Sequence, residues 1–185
     1  MPSPFTKSPI NMDKTSIQIL ICGVGGQGIN GAVRSLHEHC LSEGWHCVSA
    51  VYKGGAQRLG SVKAEIRLFP PHTQQVELKS SQIIPGSLDA LVVLEQWEGL
   101  RNIPLCHEQT LFLIDAFVEF PPGNRQANSL ESEPSNHWSN YNNPQIRNNY
   151  QAIALSQMGH KKYAALCMLN DLFVALALPL KPIKK

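Results

Sequence analysis

No two of the five cysteines, Cys22, Cys40, Cys47, Cys106 and Cys167, form a Cys-x-x-Cys pair. The odd count argues against a disulfide framework, and the loose spacing argues against a four-thiolate iron–sulfur cluster. Charge is scarce too, at 16% of the 185 residues. Soluble chains usually carry about a quarter, so some surface is expected to be covered by a partner. A net charge of +2 is too small to argue for nucleic acid. The one basic cluster, Lys181, Lys184 and Lys185, reads as a frayed, solvated terminus. Residues 1–16 contain Pro2, Pro4 and Pro9 and no apolar core, so they read as a flexible arm without a secretory signal, and the cytoplasm is the default. Tyr163 to Leu178 is the longest apolar run, short of the ~20 residues a membrane span needs. With Asp171 inside it, a buried or interface helix is expected, and no membrane.

Against these absences stands one feature. Ile17 to Cys22 is apolar and leads straight into Gly23-Val24-Gly25-Gly26-Gln27-Gly28, after which Ile29 to Leu41 has helical character. A strand, a glycine turn and a helix in that order give a G-x-G-x-x-G match its required context. Glycines let a ligand or a second chain approach the backbone, and the amides at the helix start favour negative charge. The turn therefore marks an anion or dinucleotide-like site, or a close-packed interface.

Further along, His46 to Tyr52 reads as a second strand, and Lys53 to Ser61 as a flexible basic loop. Val62 to Leu68 alternates apolar and charged residues, the period of a strand with one solvated or edge face. Leu88 to Leu94 suits a central parallel strand, Glu95 to Arg101 a short helix, and Thr110 to Ile114 a buried strand ending at Asp115. Residues 119–149 are rich in Pro, Asn and Ser and are expected to be an irregular, mobile or partner-dependent insertion. The alternation predicts an α/β fold: a single Rossmann-like domain over 17–185 with an open, mostly parallel sheet and helices on both faces. Gly23–Gly28, Lys53–Ser61, Glu95 and Asp115 should then share the rim at the carboxyl ends of the strands.

A NAD site usually has a carboxylate ending the second strand. Here Lys53 follows it, and with Arg58 suits a phosphate better, as in NADP or a nucleotide-bearing thioester carrier. His37 and Cys40 stand at i, i+3, with His46 and Cys47 near them, but without the paired spacings of a zinc site; no metal is expected. Neither a Ser–His–Asp nor a paired-carboxylate arrangement can be assembled.

The glycine turn, the loop Lys53-Gly54-Gly55-Ala56-Gln57-Arg58-Leu59-Gly60-Ser61-Val62 some thirty residues later, the strand Ala64 to Leu68, and Leu88 to Glu95 together resemble the gamma-type subunit or domain of 2-oxoacid:ferredoxin oxidoreductases. The resemblance covers 17–117 and extends more loosely to the C-terminal helix. It is nearest to the small subunit of the indolepyruvate enzymes. It implies a complex that decarboxylates a 2-oxoacid on thiamine diphosphate, passes electrons through iron–sulfur clusters to ferredoxin, and releases an acyl-coenzyme A. Thiamine and the clusters belong chiefly to the partner subunit. This chain, inactive alone, would shape the cofactor pocket and hold no cofactor of its own with certainty; a homodimer is open to it when isolated. It departs from the family at Leu59, where a glycine is usual, at Gln96, where proline is common, and at Ala165 and Asn170 in the last helix. The rival readings are a stand-alone nucleotide-binding protein and a non-catalytic scaffold relative.

Gly23, Gly25, Gly26, Gln27 and Gly28 are thus the candidate cofactor-binding residues of the turn, and Gln57, Arg58 and Ser61 those of a polar cradle beside it. Arg58 offers a planar fork to a phosphate or carboxylate, or a plain salt bridge. Glu95, the last candidate, is expected to cap the following helix or touch a partner rather than to catalyse.

Overall fold

The computed structural model describes residues 16–54, 60–71, 73, 80–118 and 134–184. Apart from Ser16, the N-terminal arm lies outside them, as do Gln57, Arg58 and Leu59. Among the described residues six strands form one sheet: β1 (Ile17–Val24), β2 (His46–Lys53), β3 (Ser61–Phe69), β4 (Leu88–Val93), β5 (Cys106–Asp115) and β6 (Gln145–Asn148), in the order β2-β3-β1-β4-β5-β6. β3 pairs antiparallel with both β1 and β2, whereas β1, β4, β5 and β6 pair in parallel. Only β3 runs against the rest, so the sheet is mixed in pairing yet mostly of one direction. The α/β reading holds.

Alternate side chains of the strands face opposite layers. Ile17, Ile19 and Ile21 of β1, with Ala64, Ile66 and Leu68 of β3, pack under α1 (Ile29–Ser42), α4 (Tyr150–Met158) and α5 (Ala164–Ala175). Leu20 and Cys22, with Leu91, Val93, Phe112 and Ile114, face Trp138 on the opposite side. That side carries α2 (Gln96–Arg101) and α3 (Pro134–Trp138). Helix α1 forms because Ile29, Ala32, Val33, Leu36 and Cys40 recur at helical spacing and are all buried. It stops at Gly44, whose φ of 75° is left-handed.

Three expectations need correction. β2 lies outside β3, so the charged face of β3 is not at the sheet edge and is only partly solvated: Lys63 and Arg67 are half-buried, and buried Glu65 accepts from Lys63 Nζ at 3.0 Å and from the Ile83 N–H at 3.3 Å. The insertion is not irregular throughout. Residues 134–149 supply α3 and a sixth strand, and Trp138 is fully buried, edge-on to Phe112 at 5.4 Å. Nor does the tail fray over its described residues: Leu178, Leu180 and Ile183 are buried and Lys181 pairs with Glu43 at 3.1 Å, while Lys181 and Lys184 are solvated as expected.

Asn170 explains its own departure from the family. Its amide accepts from the Ile183 N–H at 2.7 Å and donates to the Ile183 carbonyl at 3.2 Å, clamping the tail onto α5. Asn170→Ala should therefore cost about 1–3 kcal/mol, for two bonds lost at a half-buried site. Urea unfolding measures this; an unchanged midpoint would mean the tail contributes nothing.

Candidate functional site

β1 delivers the glycine turn to the strand carboxyl ends, and the reversed β3 begins at that same rim, Val24 pairing with Ser61. The two segments touch. The Gly25 N–H donates to the Gly60 carbonyl at 2.9 Å, and the Gly54 N–H to the Ser61 carbonyl at 2.7 Å, closing the stems of the basic loop. The Gly25 N–H is thus spent on joining turn to loop. Gln57 and Arg58 lie outside the described residues, and both stems that carry them are on this rim.

Within the turn the residues divide by role. Gln27 is spent internally: its Oε1 accepts from the Val24 N–H at 2.7 Å and its Nε2 donates to the Leu94 carbonyl at 2.8 Å. Gly23 leaves room for this, since a Cβ there would stand 2.3 Å from Gln27 Oε1. Gly28, at φ 79°, packs against the short 3-10 turn Lys161–Tyr163, and a Cβ would fall 2.3 Å from the Lys162 carbonyl. Gly26, at φ 98°, faces open space. Gly28 and Gly23 serve packing; Gly26 is left free to meet a ligand.

That space is a cavity of about 330 Å³, bounded by Gly25, Gly26, Phe117, Gln151, Lys161 and Lys162. Lys161 and Lys162 bring two basic residues to its border, a chemistry suited to phosphate or carboxylate. Lys161 and Lys162 escaped the sequence reading because the chain brings them back from beyond β6; their proximity to Gly28 is purely tertiary.

The acidic side of the rim is structural. Glu95, nearly fully buried, caps α2 by accepting from the Glu98 N–H at 2.9 Å, in line with the cap expected of it. Glu98 was not singled out, yet its carboxylate takes the Ser61 hydroxyl at 2.7 Å and pairs with Arg101. Ser61 is thus tied to α2 rather than turned toward the loop. Burial first, then Glu98 and Glu95, raises the Cys22 thiol well above its ordinary range. Gln96 replaces proline with a useful bond: its amide donates to the Asp115 carbonyl at 3.1 Å, joining the ends of β4 and β5.

Asp115 is fully buried; Oδ1 accepts from the Tyr150 N–H at 3.0 Å, while Oδ2 has no hydrogen-bond partner. Burial raises its pKa, and backbone N–H groups, Tyr150 first, only partly oppose this. A carboxyl raised in the fold adds stability when protonated and loses it as pH climbs through the folded pKa. Asp115→Asn keeps an acceptor for Tyr150 and does not titrate. Its stability relative to the parent should therefore grow as pH rises from about 4 to neutrality; parallel pH profiles in thermal unfolding would defeat this.

His37 Nε2 is engaged with Ser49 Oγ at 2.8 Å. Among the described residues no three His, Cys, Asp or Glu side chains are grouped to hold a metal ion, and no helix is long and apolar enough to cross a membrane.

A family model described as pyruvate ferredoxin/flavodoxin oxidoreductase matches residues 18–185. The chain is 34% identical to the indolepyruvate oxidoreductase subunit IorB of Methanothermobacter thermautotrophicus over 107 residues, 57% of this chain and 50% of that one. It spans about half the length of the curated relatives it matches. The gamma subunit of keto/oxoacid ferredoxin oxidoreductase from Geobacter sulfurreducens has the same fold, with a TM-score of 0.56 at 21% identity over 90% of this chain and 80% of that one. The 2-oxoglutarate:ferredoxin oxidoreductase of Magnetococcus marinus, with 2-oxoglutarate, coenzyme A and succinyl-CoA bound, matches at a TM-score of 0.59 and 15% identity, over 87% of this chain and 24% of that one. At such identities the two structures testify to fold alone.

Proposed function

The chain belongs to the pyruvate ferredoxin/flavodoxin oxidoreductase family, and from that premise we propose that it is the gamma-type subunit of a thiamine-dependent 2-oxoacid:ferredoxin oxidoreductase. Its complex acts on an aryl or other bulky 2-oxoacid such as indolepyruvate, a reading supported by the IorB likeness. The subunit carries no catalytic residue. It covers the reacting centre of a partner that holds thiamine diphosphate and iron–sulfur clusters, and ferredoxin meets the complex through that partner. The sparse charge of the chain is consistent with such burial.

One observation carries this reading: the glycine turn and Lys161–Lys162 border one cavity, and the stems of the basic loop are bonded to that turn on the same rim. The rim suits the phosphates of coenzyme A, with Gly26 admitting the ligand and Lys161 and Lys162 neutralising its charge. Coenzyme A, when bound, supplies the thiol that accepts the acyl group. Arg58, which the sequence carries between the two stems, is assigned to the same anion or to an acidic residue of the partner.

Co-expression with a thiamine-dependent partner subunit tests the reading. Reduction of a viologen dye should require both chains, a bulky 2-oxoacid and coenzyme A, and Arg58→Ala should lower turnover or co-purification. Full dye reduction by the partner alone, or an Arg58→Ala complex unchanged in both respects, would overturn it.

A further inference from the structure

The two edges of the sheet are built differently. β6 closes one side with only Gln145–Asn148 and carries the exposed Arg147 and Asn148. Short, charged edges resist pairing with other chains. β2 closes the other side with the eight residues His46-Cys47-Val48-Ser49-Ala50-Val51-Tyr52-Lys53. It has no proline, no register shift against β3, and no charged residue between His46 and Lys53 at its ends. Among the described residues it pairs with β3 alone. An edge of this kind is a template for a further strand.

The hydrogen bonds fix which groups that edge offers. The Gly54 N–H donates to the Ser61 carbonyl at 2.7 Å, one step beyond the Lys53–Val62 pair. Antiparallel pairs alternate between bonded and unbonded, so the even-numbered residues of β2 are spent on β3. Cys47, Ser49, Val51 and Lys53 therefore turn their N–H and C=O groups to the open side. The bond from Gly25 to Gly60, on the β1 side of the same hairpin, has the parity this requires. Exposed apolar groups flank the edge on both faces. Tyr52, 44% exposed, stands beside Lys63 on the face away from α1, with Lys63 Nζ 5.0 Å from its ring. Leu41, 78% exposed, lies one helical turn beyond His37, whose ring is bonded to Ser49 of β2 at 2.8 Å.

We propose that two copies of this chain meet at this edge, β2 pairing antiparallel with β2 of the second copy about a two-fold axis at Ala50. A two-fold axis across the sheet keeps each side chain on its own face, so paired residue numbers must share parity, and only odd residues offer edge groups. Centring on Ala50 meets both conditions. Cys47 then lies opposite Lys53 and Ser49 opposite Val51, each twice, and every outward N–H and C=O of the strand finds a partner. Moving the axis to Ser49 or Val51 leaves Lys53 or Cys47 with no strand residue opposite. In the Ala50 register Val48 faces Tyr52, a β-branched residue against an aromatic, which is a favoured cross-strand pair. No like charges are opposed: Lys53 of one copy comes beside the end of α1 of the other, where carbonyl groups and Glu43 favour a cation. Strand pairing with Leu41 and Tyr52 at its flanks is a small interface, so the dimer is expected to exchange with single chains. This assignment stands independently of the oxidoreductase reading.

Sedimentation of the purified full chain tests it. The mean mass should climb from that of one chain toward that of two as concentration rises. Ala50→Lys sets two ammonium groups opposite each other at the axis and should hold the protein at one chain over the same range. Ala50→Cys supplies a measure that does not depend on a lysine being tolerated. Unbonded antiparallel partners stand about 4.5 Å apart at Cα, within reach of a disulfide, so mild oxidation should give a covalent dimer. The two copies of Val48→Cys would be four strand residues apart, about 14 Å, and should not link. The parent, whose Cys47 faces Lys53, should not link either. A single-chain mass for the parent at every concentration would overturn the proposal. So would an Ala50→Lys variant that dimerises like the parent, or cross-linking of Val48→Cys as complete as that of Ala50→Cys.

Discussion

Gly28→Ala should destabilise the protein by about 2–5 kcal/mol, the sum of about 1–2 for a left-handed alanine and about 1–3 for a contact that cannot relax easily. The obstacle is backbone, the Lys162 carbonyl 2.3 Å from the added carbon, so no side chain can swing aside. Gly26→Ala supplies the control. It too is left-handed, at φ 98°, but its methyl would meet nothing within 4 Å. Only the conformational cost of about 1–2 kcal/mol remains. Urea midpoints for the two variants should therefore differ clearly. Equal losses would mean that the 3-10 turn of Lys161–Tyr163 does not press on the start of α1. On the proposed function, Gly26→Ala should instead weaken turnover with coenzyme A in the assembled complex, because Gly26 borders the cavity.

Trp138→Ala should cost about 3–5 kcal/mol, the range for emptying a large aromatic site. The indole is fully buried, edge-on to Phe112 and 2.7 Å from the Cβ that Gly99 lacks. An insertion merely laid over the surface would lose almost nothing on this change. Equilibrium unfolding distinguishes the two, and a loss below about 1 kcal/mol would restore the irregular reading, that being the range for surface substitutions.

The contrast between these sites shows what a sequence can disclose. β1, β4 and α1 were readable because local pattern and burial agree there: apolar runs form the two strands, and residues recurring at helical spacing form the buried face of α1. Glu95 was readable because capping is local, three residues to the Glu98 N–H. Helix α4 was missed, although Asn149 caps it through the Ala152 N–H at 3.0 Å, because its apolar residues favour no single face. α3 and β6 were missed because one tryptophan anchors a stretch otherwise composed of loop formers. The site divided in the same way. Its glycine turn is contiguous and was found; Lys161, Lys162 and the Ser61–Glu98 bond join residues distant in the chain.

The reversed strand has a mechanical corollary. The β2–β3 ladder closes at Lys53–Val62, and β3 stays paired with β1 as far as Val24–Ser61, so the hairpin and the glycine turn share one frame and cannot shift independently.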